Sequence, residues 1–348
     1  MLLACALASA ALTALAIGYA QRRRLLDLPG RRRSHAQATP RGGGIGIVLT
    51  LLAVVLLWWP QRHEAWSIAC ALALVGAAGW IDDHRGLAVR WRLLLHFVAV
   101  ALWLVPLALA LARSACVLPL ALGCSQLRLL LAAATLAVGV AMVWSINLHN
   151  FMDGIDGILA MQAAFVCAVA AAAFAHAGDA PHALGAAAAL AAILGFLPFN
   201  FPRARVFMGD VGSGVLGLWV ALLVVMLAMR PGVAATSGLI AASGFVVDAT
   251  CTLLSRMLRG RRWYSAHREH LYQWLVRTGL SHARVVALYL AWNLLIVVPA
   301  LLWINRPQAH AAGSGMLLAV YAAGTGVWLA GKRWCLRQVA RRGGHAAA

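Results

Sequence analysis

Long apolar runs alternate with short polar joins along the whole chain. Runs near the roughly 20 residues needed to cross a bilayer as helix fall at 1–20, 44–60, 65–81, 93–112, 129–146, 158–177, 183–201, 212–229, 233–254, 283–304 and 311–331. Runs two and three are short and joined by a tight turn at Pro60–Glu64. Residues 1–20 carry no charge and are followed by arginines, the reverse of a secretory signal, so the first run is expected to span the membrane. No polar stretch is long enough for a separate soluble domain. The pattern predicts an all-α fold: a polytopic integral membrane bundle of about 11 transmembrane helices, forming one membrane-embedded domain over residues 1–348.

Composition agrees, with 63% hydrophobic and 11% charged residues, far from soluble-domain usage. The net charge of +19 changes the picture only through its distribution. With the N-terminus outside (periplasmic) and eleven crossings, 24 of the 29 Lys and Arg residues fall on the inner side. That asymmetry obeys the positive-inside rule. It puts the C-terminus in the cytoplasm and creates basic cytoplasmic loops at 21–43 and 255–282 and a basic tail at 332–348. Basic residues confined to short loops between apolar runs point to anionic membrane lipids as partners and away from nucleic acid. The seven cysteines form no CxxC pair, so no cysteine metal site is expected. Cys116 and Cys124 are near enough in sequence to pair in one outer loop.

The same alternation gathers Asp82, Asp83, Asp153, Asp156, Asp210 and Glu269, more than half of the 10 acidic residues, at the cytoplasmic side. They lie in distinct motifs. In "GWIDDHRGL" the adjacent Asp82 and Asp83 repel each other unless a cation stands nearby, which suits a base or a diphosphate–metal site. In "NLHNFMDGIDGI", Asn147, Asn150, Asp153 and Asp156 recur every third residue and on a helix would drift slowly around one face. Gly154 and Gly157 weaken helix there. In "FMGDVGSG", glycines flank Asp210 and Ser213 at a helix start, where exposed N–H groups favour an anion and a carboxylate can hold Mg²⁺. In "SAHREHLYQWL", His267, Arg268 and His270 stand in a basic loop that favours phosphate. In "SHAQATPRGGG", His35 and Arg41 join a glycine run expected to form a flexible phosphate-contacting loop. Asp248, at membrane depth in the ninth run, is a further candidate. Against each stands a plainer reading: solvated helix end, polar turn, topogenic loop or packing partner.

Taken in order, "TPRGGG", "DD", "NLHNFMDGIDG", "FMGDVGSG" and the histidine-containing last loop resemble the polyprenyl-phosphate N-acetylhexosamine-1-phosphate transferases of glycosyltransferase family 4, over about His35 to Gln273. The resemblance implies a bacterial inner-membrane, multi-pass bundle with its active site on the cytoplasmic face. It implies transfer of sugar-1-phosphate from a UDP-N-acetylhexosamine to undecaprenyl phosphate, releasing UMP and starting O-antigen (lipopolysaccharide) or related cell-envelope lipid intermediates. Asp210 would be the principal ligand of Mg²⁺, with Mn²⁺ as an alternative. Asp82 and Asp83 would stand by the lipid phosphate, one of them deprotonating it. Asn147, Asn150, Asp153 and Asp156 would line the nucleotide and metal site, and His267 and His270 would contact donor phosphate or sugar. A homodimer is compatible with the family. "HREH" and "DDHRG" depart from the triple histidine and the lysine of the peptidoglycan branch and are closer to the O-antigen branch, leaving the donor sugar open. The alternative readings are an intramembrane prenyltransferase, for which a second Asp-rich motif is missing, and a transporter, whose polar groups belong near the midplane.

Overall fold

The computed structural model describes residues 1–27, 38–115, 124–261 and 267–345. Among them, nine helical segments are long and apolar enough to cross a membrane. The order is α1 (Leu2–Arg22), a two-stranded β1 (Leu26–Asp27) and β2 (Thr39–Pro40), α2 (Ile45–Trp58), α3 (Arg62–Arg85), α4 (Val89–Ala115), α5 (Cys124–Met152), α6 (Ile158–His176), α7 (Ala180–Asn200) and α8 (Gly209–Met229). Then come α9 (Ser237–Ala241), α10 (Ser243–Leu258), α11 (Leu271–Arg277), α12 (His282–Trp292), a π-helical stretch at Asn293–Val297, α13 (Val298–Ile304), a 3₁₀ turn at Pro307–Ala312, and α14 (Gly313–His345).

All eleven apolar runs are helical, so the polytopic all-α bundle stands. Three details differ from the expectation. The second run yields only 14 residues of helix. The ninth is broken at Ala242 into α9 and α10, and the loop expected at 255–282 contains the short α11. The residues after α1 form the antiparallel pair Leu26↔Pro40 and Asp27↔Thr39, a small exception to the all-α expectation.

Helix α8 is the hub: 83% of its apolar window is buried, against 17% for α1 and α5. It packs against α3, α5 and α6 and carries the fully buried Trp219. The outer helices turn Leu3, Leu7, Leu15, Leu129 and Leu318 outward, as a lipid-facing surface requires. In lipid no hydrophobic force drives helix on helix, so close packing falls to small residues. A Cβ on Gly79 (α3) would lie 2.4 Å from the Asp210 backbone, and one on Gly195 (α7) would lie 2.1 Å from Ala6 O. The carboxyl ends of α3, α5 and α10 and the amino ends of α8 and α12 meet at one end of the bundle, where the acidic motifs lie.

Candidate active site

The paired aspartates ending α3 do different things. Asp83 is buried and accepts Arg41 Nε (3.1 Å) and Nη2 (2.7 Å) together with the backbone N–H groups of Asp210 (3.1 Å) and Val211 (3.2 Å). The N–H groups at the start of α8, expected to face a ligand anion, are thus capped by the protein's own carboxylate, a satisfied arrangement for a helix N-terminus. Asp82 instead takes Leu87 N (2.5 Å) and Arg92 Nη1 (2.9 Å). Gly86, at φ +71°, turns the chain sharply so that the first turn of α4 lays Arg92 back over Asp82. The same guanidinium stands 3.6 Å from Asp210 Oδ2.

The glycine run 42–44 is not the flexible phosphate loop expected. Gly43 N and Gly44 N donate to the carbonyls of Phe207 (3.0 Å) and Met208 (2.9 Å). A Cβ on Gly44 would meet Gly212 Cα at 2.5 Å, so these glycines exist for backbone contact with the start of α8. Arg41 still lines the cavity described below, with its guanidinium on Asp83. His35 lies outside the described residues, as does Cys116.

The three-residue spacing from Asn147 does not stay on one helix. Helix α5 ends at Met152, and Asp153–Gly157 is a turn. Gly157 sits at φ +76°, its N–H donates to Asn200 Oδ1 at 2.9 Å, and the Phe201 ring fills the space where its Cβ would be. Asn147 points elsewhere: its amide donates to Val143 O at 2.8 Å and stands 3.5 Å from His96. Asn150 points inward, its amide reaching Asp210 Oδ1 (2.9 Å) and Ser213 Oγ (3.0 Å). Asp156 accepts Ala204 N (3.2 Å) and lies 3.2 Å from His282 Nδ1.

These groups surround an open cavity of about 290 Å³ lined by Asn150, Asp153, Asp156 and Asp210 together with Arg41, Arg268, Gln273 and His282. Burial first, and then the charges of Asp210, Asp83 and Asp156, push the Asp153 carboxyl up to about 8. The last loop presents Arg268 to the cavity. His270 is sealed inside, 3% exposed, its ring stacked near Phe151 and Tyr272. His267 packs 5.0 Å from it, and burial, then His270 and Arg256, push it down to about 4. Neither histidine lines the cavity. Burial would raise Glu269, but Arg256, Arg261 and Lys332 outweigh it and hold the carboxyl below its usual range.

The model of the family described as glycosyl transferase family 4 matches residues 65–228, from α3 through nearly all of α8. A decaprenyl-phosphate N-acetylglucosaminephosphotransferase of Mycobacterium leprae is 30% identical over 78% of this chain and 75% of its own length. The chain belongs to glycosyl transferase family 4. Other similar members are a probable undecaprenyl-phosphate N-acetylglucosaminyl 1-phosphate transferase of Bacillus subtilis (25% identical, covering 80% of this chain and 79% of the relative) and a phospho-N-acetylmuramoyl-pentapeptide-transferase of Chlamydia trachomatis (31%, covering 74% and 81%).

Within this family 4 chain, folding brings Arg41, Asn150, Asp153, Asp156, Asp210 and Arg268 around one cavity. Asp82, Asp83 and Ser213 stand directly behind it, in contact with its lining. Asn147, His267 and His270 do not reach it. Arg92, His282 and the cavity-lining Gln273 are not singled out by the sequence. Arg92 was read only as a topogenic charge, although Gly86 at the foot of α3 marks a reversal. His282 offers no sequence signal beyond Ser281 capping α12; only the approach of α12 to the 153–157 turn reveals it.

The oxygen donors fit a hard divalent cation. Among the described residues no three His, Cys, Asp or Glu side chains converge as a ready-made metal cage. Mg²⁺ does not require one, since it takes one or two carboxylates and completes its shell with substrate phosphates and water. Asp210 and Asp153 both line the cavity, and the charge of Asp210 adds to burial in raising the Asp153 carboxyl.

Proposed function

We propose that this membrane protein transfers an N-acetylamino-sugar 1-phosphate from a UDP-sugar to a polyprenyl phosphate, undecaprenyl phosphate in a bacterial inner membrane. The observation that carries the reading is the cavity itself: carboxylates and the guanidinium-bearing Arg41 and Arg268 line one space, at one end of a lipid-facing bundle. The names of the family relatives support the same class. An oxygen of the lipid phosphate attacks the sugar-bearing phosphorus of the donor. The bond from that phosphorus to the oxygen bridging the two donor phosphates breaks, UMP leaves with that oxygen, and the new diphosphate joins lipid and sugar.

Positioning and charge neutralisation provide most of the catalysis in such transfers. Arg41 and Arg268 hold the donor diphosphate. Asp210, with Asp153 beside it, would hold Mg²⁺ or Mn²⁺, which supplies neutralisation of the phosphate oxygens. Asp153, whose carboxyl is held well above the usual carboxylate range by burial and neighbouring acids, takes the last proton of the acceptor phosphate, a role Asp83 is less able to fill because four donors already engage it. Asp82 and Arg92 keep Asp210 in place. The basic loops, read by the positive-inside rule, support a cytoplasmic position for this end, with the product feeding O-antigen or another surface polysaccharide. The "HREH" loop and the N-acetylglucosamine names of relatives favour a simple UDP-N-acetylhexosamine over a muramoyl-pentapeptide donor.

The test is UMP release from membranes containing the protein, undecaprenyl phosphate, Mg²⁺ and a panel of UDP-N-acetylhexosamines, with UDP-N-acetylmuramoyl-pentapeptide included. Lipid-dependent UMP from one donor, lost in Asp210→Asn, is the expected result. Folded protein that releases no UMP from any donor refutes the reading.

A further inference from the structure

Asp248 is an acid with no place in the cavity. It is 2% exposed and lies outside the lining of that cavity. Its carboxylate accepts from Leu271 N (2.8 Å), Tyr272 N (3.3 Å), Tyr289 Oη (2.6 Å), Trp328 Nε1 (3.1 Å) and Thr252 Oγ1 (3.2 Å). Those donors come from α10, α11, α12 and α14, so one buried carboxylate ties four helices together. A buried acid with this many donors is well satisfied, and the cost of burial is offset by charge-assisted hydrogen bonds.

The consequence lies at the same end of α11. Tyr272, second residue of that helix, donates through Oη to Phe151 O at 3.0 Å and accepts from Gln273 Nε2 at 3.1 Å. Phe151 is two residues before Asp153. A Cβ on Gly154 would lie only 2.0 Å from Tyr272 Oη, so the hydroxyl is seated directly on the turn that carries Asp153 and Asp156. Gln273 and Arg268, on either side of this anchor, line the cavity. Lys332 of α14 adds a hold on the loop from outside, donating to Glu269 O at 2.8 Å.

We infer that Asp248 is a positioning residue: through the first turn of α11 and the Tyr272 hydroxyl it sets the distance between the Arg268/Gln273 wall and the Asp153 turn, and so governs use of the donor but not of the lipid acceptor. The kinetic half of this inference rests on the transferase reading above; the mechanical half does not.

The experiment uses the full chain in detergent or nanodiscs, with Asp248→Asn, Tyr272→Phe and the double variant. Tyr272→Phe keeps every bond to Asp248 and removes the hydroxyl's links to Phe151 and to the Gln273 amide, so it tests the strut without threatening the anchor. Hydrogen exchange of the amides at 150–154 should rise in both single variants, while the distant turn at 177–179 stays as in the unaltered protein. In turnover assays kcat/KM for the UDP-sugar should fall on the order of tenfold, within the range a misplacement of about 1 Å produces, with KM for the polyprenyl phosphate unchanged. The double variant should be no worse than the more damaged single one, because both changes cut the same connection. Unchanged exchange at 150–154 in Tyr272→Phe overturns the strut, whatever the kinetics. Raised exchange with both KM values unaltered and kcat falling only with the folded fraction overturns the positioning role and leaves a plain structural anchor. An unaltered chain that turns over no donor defeats the transferase reading, and exchange alone then decides the strut.

Discussion

Replacing Asp83 separates two roles that its position beside Asp82 confounds. In the structure its side chain is 2% exposed and pairs with Arg41, whose side chain is 33% exposed, while capping the N–H groups of Asp210 and Val211. Asp83→Ala leaves a largely buried guanidinium without its counter-charge and two helix-terminal donors without an acceptor. Losing one partner of a buried ion pair costs about 3–5 kcal/mol, and loss of a helix cap alone about 1 kcal/mol. The partial exposure of Arg41 places the expected loss near the lower bound, at about 3 kcal/mol. Asp83→Asn keeps an acceptor oxygen but loses the charge, and should cost roughly half as much. At about 2–4 °C per kcal/mol for 150–250-residue domains and less for a longer chain, Asp83→Ala should lower the melting temperature on the order of 5 °C, with Asp83→Asn between it and the unaltered protein. The assay is thermal unfolding in detergent by tryptophan fluorescence, read beside UMP release. Activity falls in both variants, because Asp210 rides on the capped helix end. Asp83→Asn that melts with the unaltered protein yet has lost all turnover would refute the capping argument and return Asp83 to the role of base.

Three further outcomes follow from the geometry. Gly79→Ala pushes a methyl to 2.4 Å from the Asp210 backbone and should destabilise the protein by about 1–3 kcal/mol, the range for overpacking, with loss of turnover; Gly76→Ala, whose nearest neighbour is a Val48 methyl at 3.3 Å, should melt nearly normally, and equal melting of the two variants would contradict the α3–α8 packing described. His282→Ala removes the ring 3.2 Å from Asp156 and should lower kcat/KM for the donor with little change in melting temperature; unchanged kinetics would remove His282 from the site. Because the Asp153 carboxyl is raised from 3.8 to about 8 in the folded state, its contribution to stability is full below pH about 4 and is lost as pH rises toward 8. In divalent-free buffer the unaltered protein should therefore lose stability relative to Asp153→Asn as pH rises across that window; parallel pH profiles for the two proteins would show that the carboxyl is not raised.

Much of this protein is legible in its sequence. Lipid demands that backbone polar groups be satisfied within each crossing segment, so apolar runs of bilayer length had to be helices and all eleven are. Acids are scarce in such a chain, and those between runs fall at alternate ends by counting alone, which is how Asp82, Asp83, Asp153, Asp156 and Asp210 could be assigned to one end of the bundle. What spacing could not supply is which way each side chain points. The i, i+3 pattern from Asn147 assumed helix through Asp156, but the turn forced by Gly157 and Asn200 intervenes, and Asn147 is left bonding its own helix. His267 and His270 looked like phosphate ligands because they stand in a basic loop; the burial of that loop against α10 and α14 turns them inward and leaves Arg268 and Gln273 at the cavity. Asp83 looked like a second catalytic acid, and only the approach of α8, allowed by Gly79 having no side chain, makes it a cap. Hydropathy alone predicts which stretches are helical and, by parity, which acidic motifs share one end of the bundle; nine of those helical segments, among the described residues, are long and apolar enough to cross a membrane. The tertiary structure decided which carboxylates stay free and which are consumed by helix ends and guanidiniums, because that depends on contacts between segments tens to more than a hundred residues apart in sequence, such as Asp83 with Val211, Asp156 with His282 and Asp248 with Trp328.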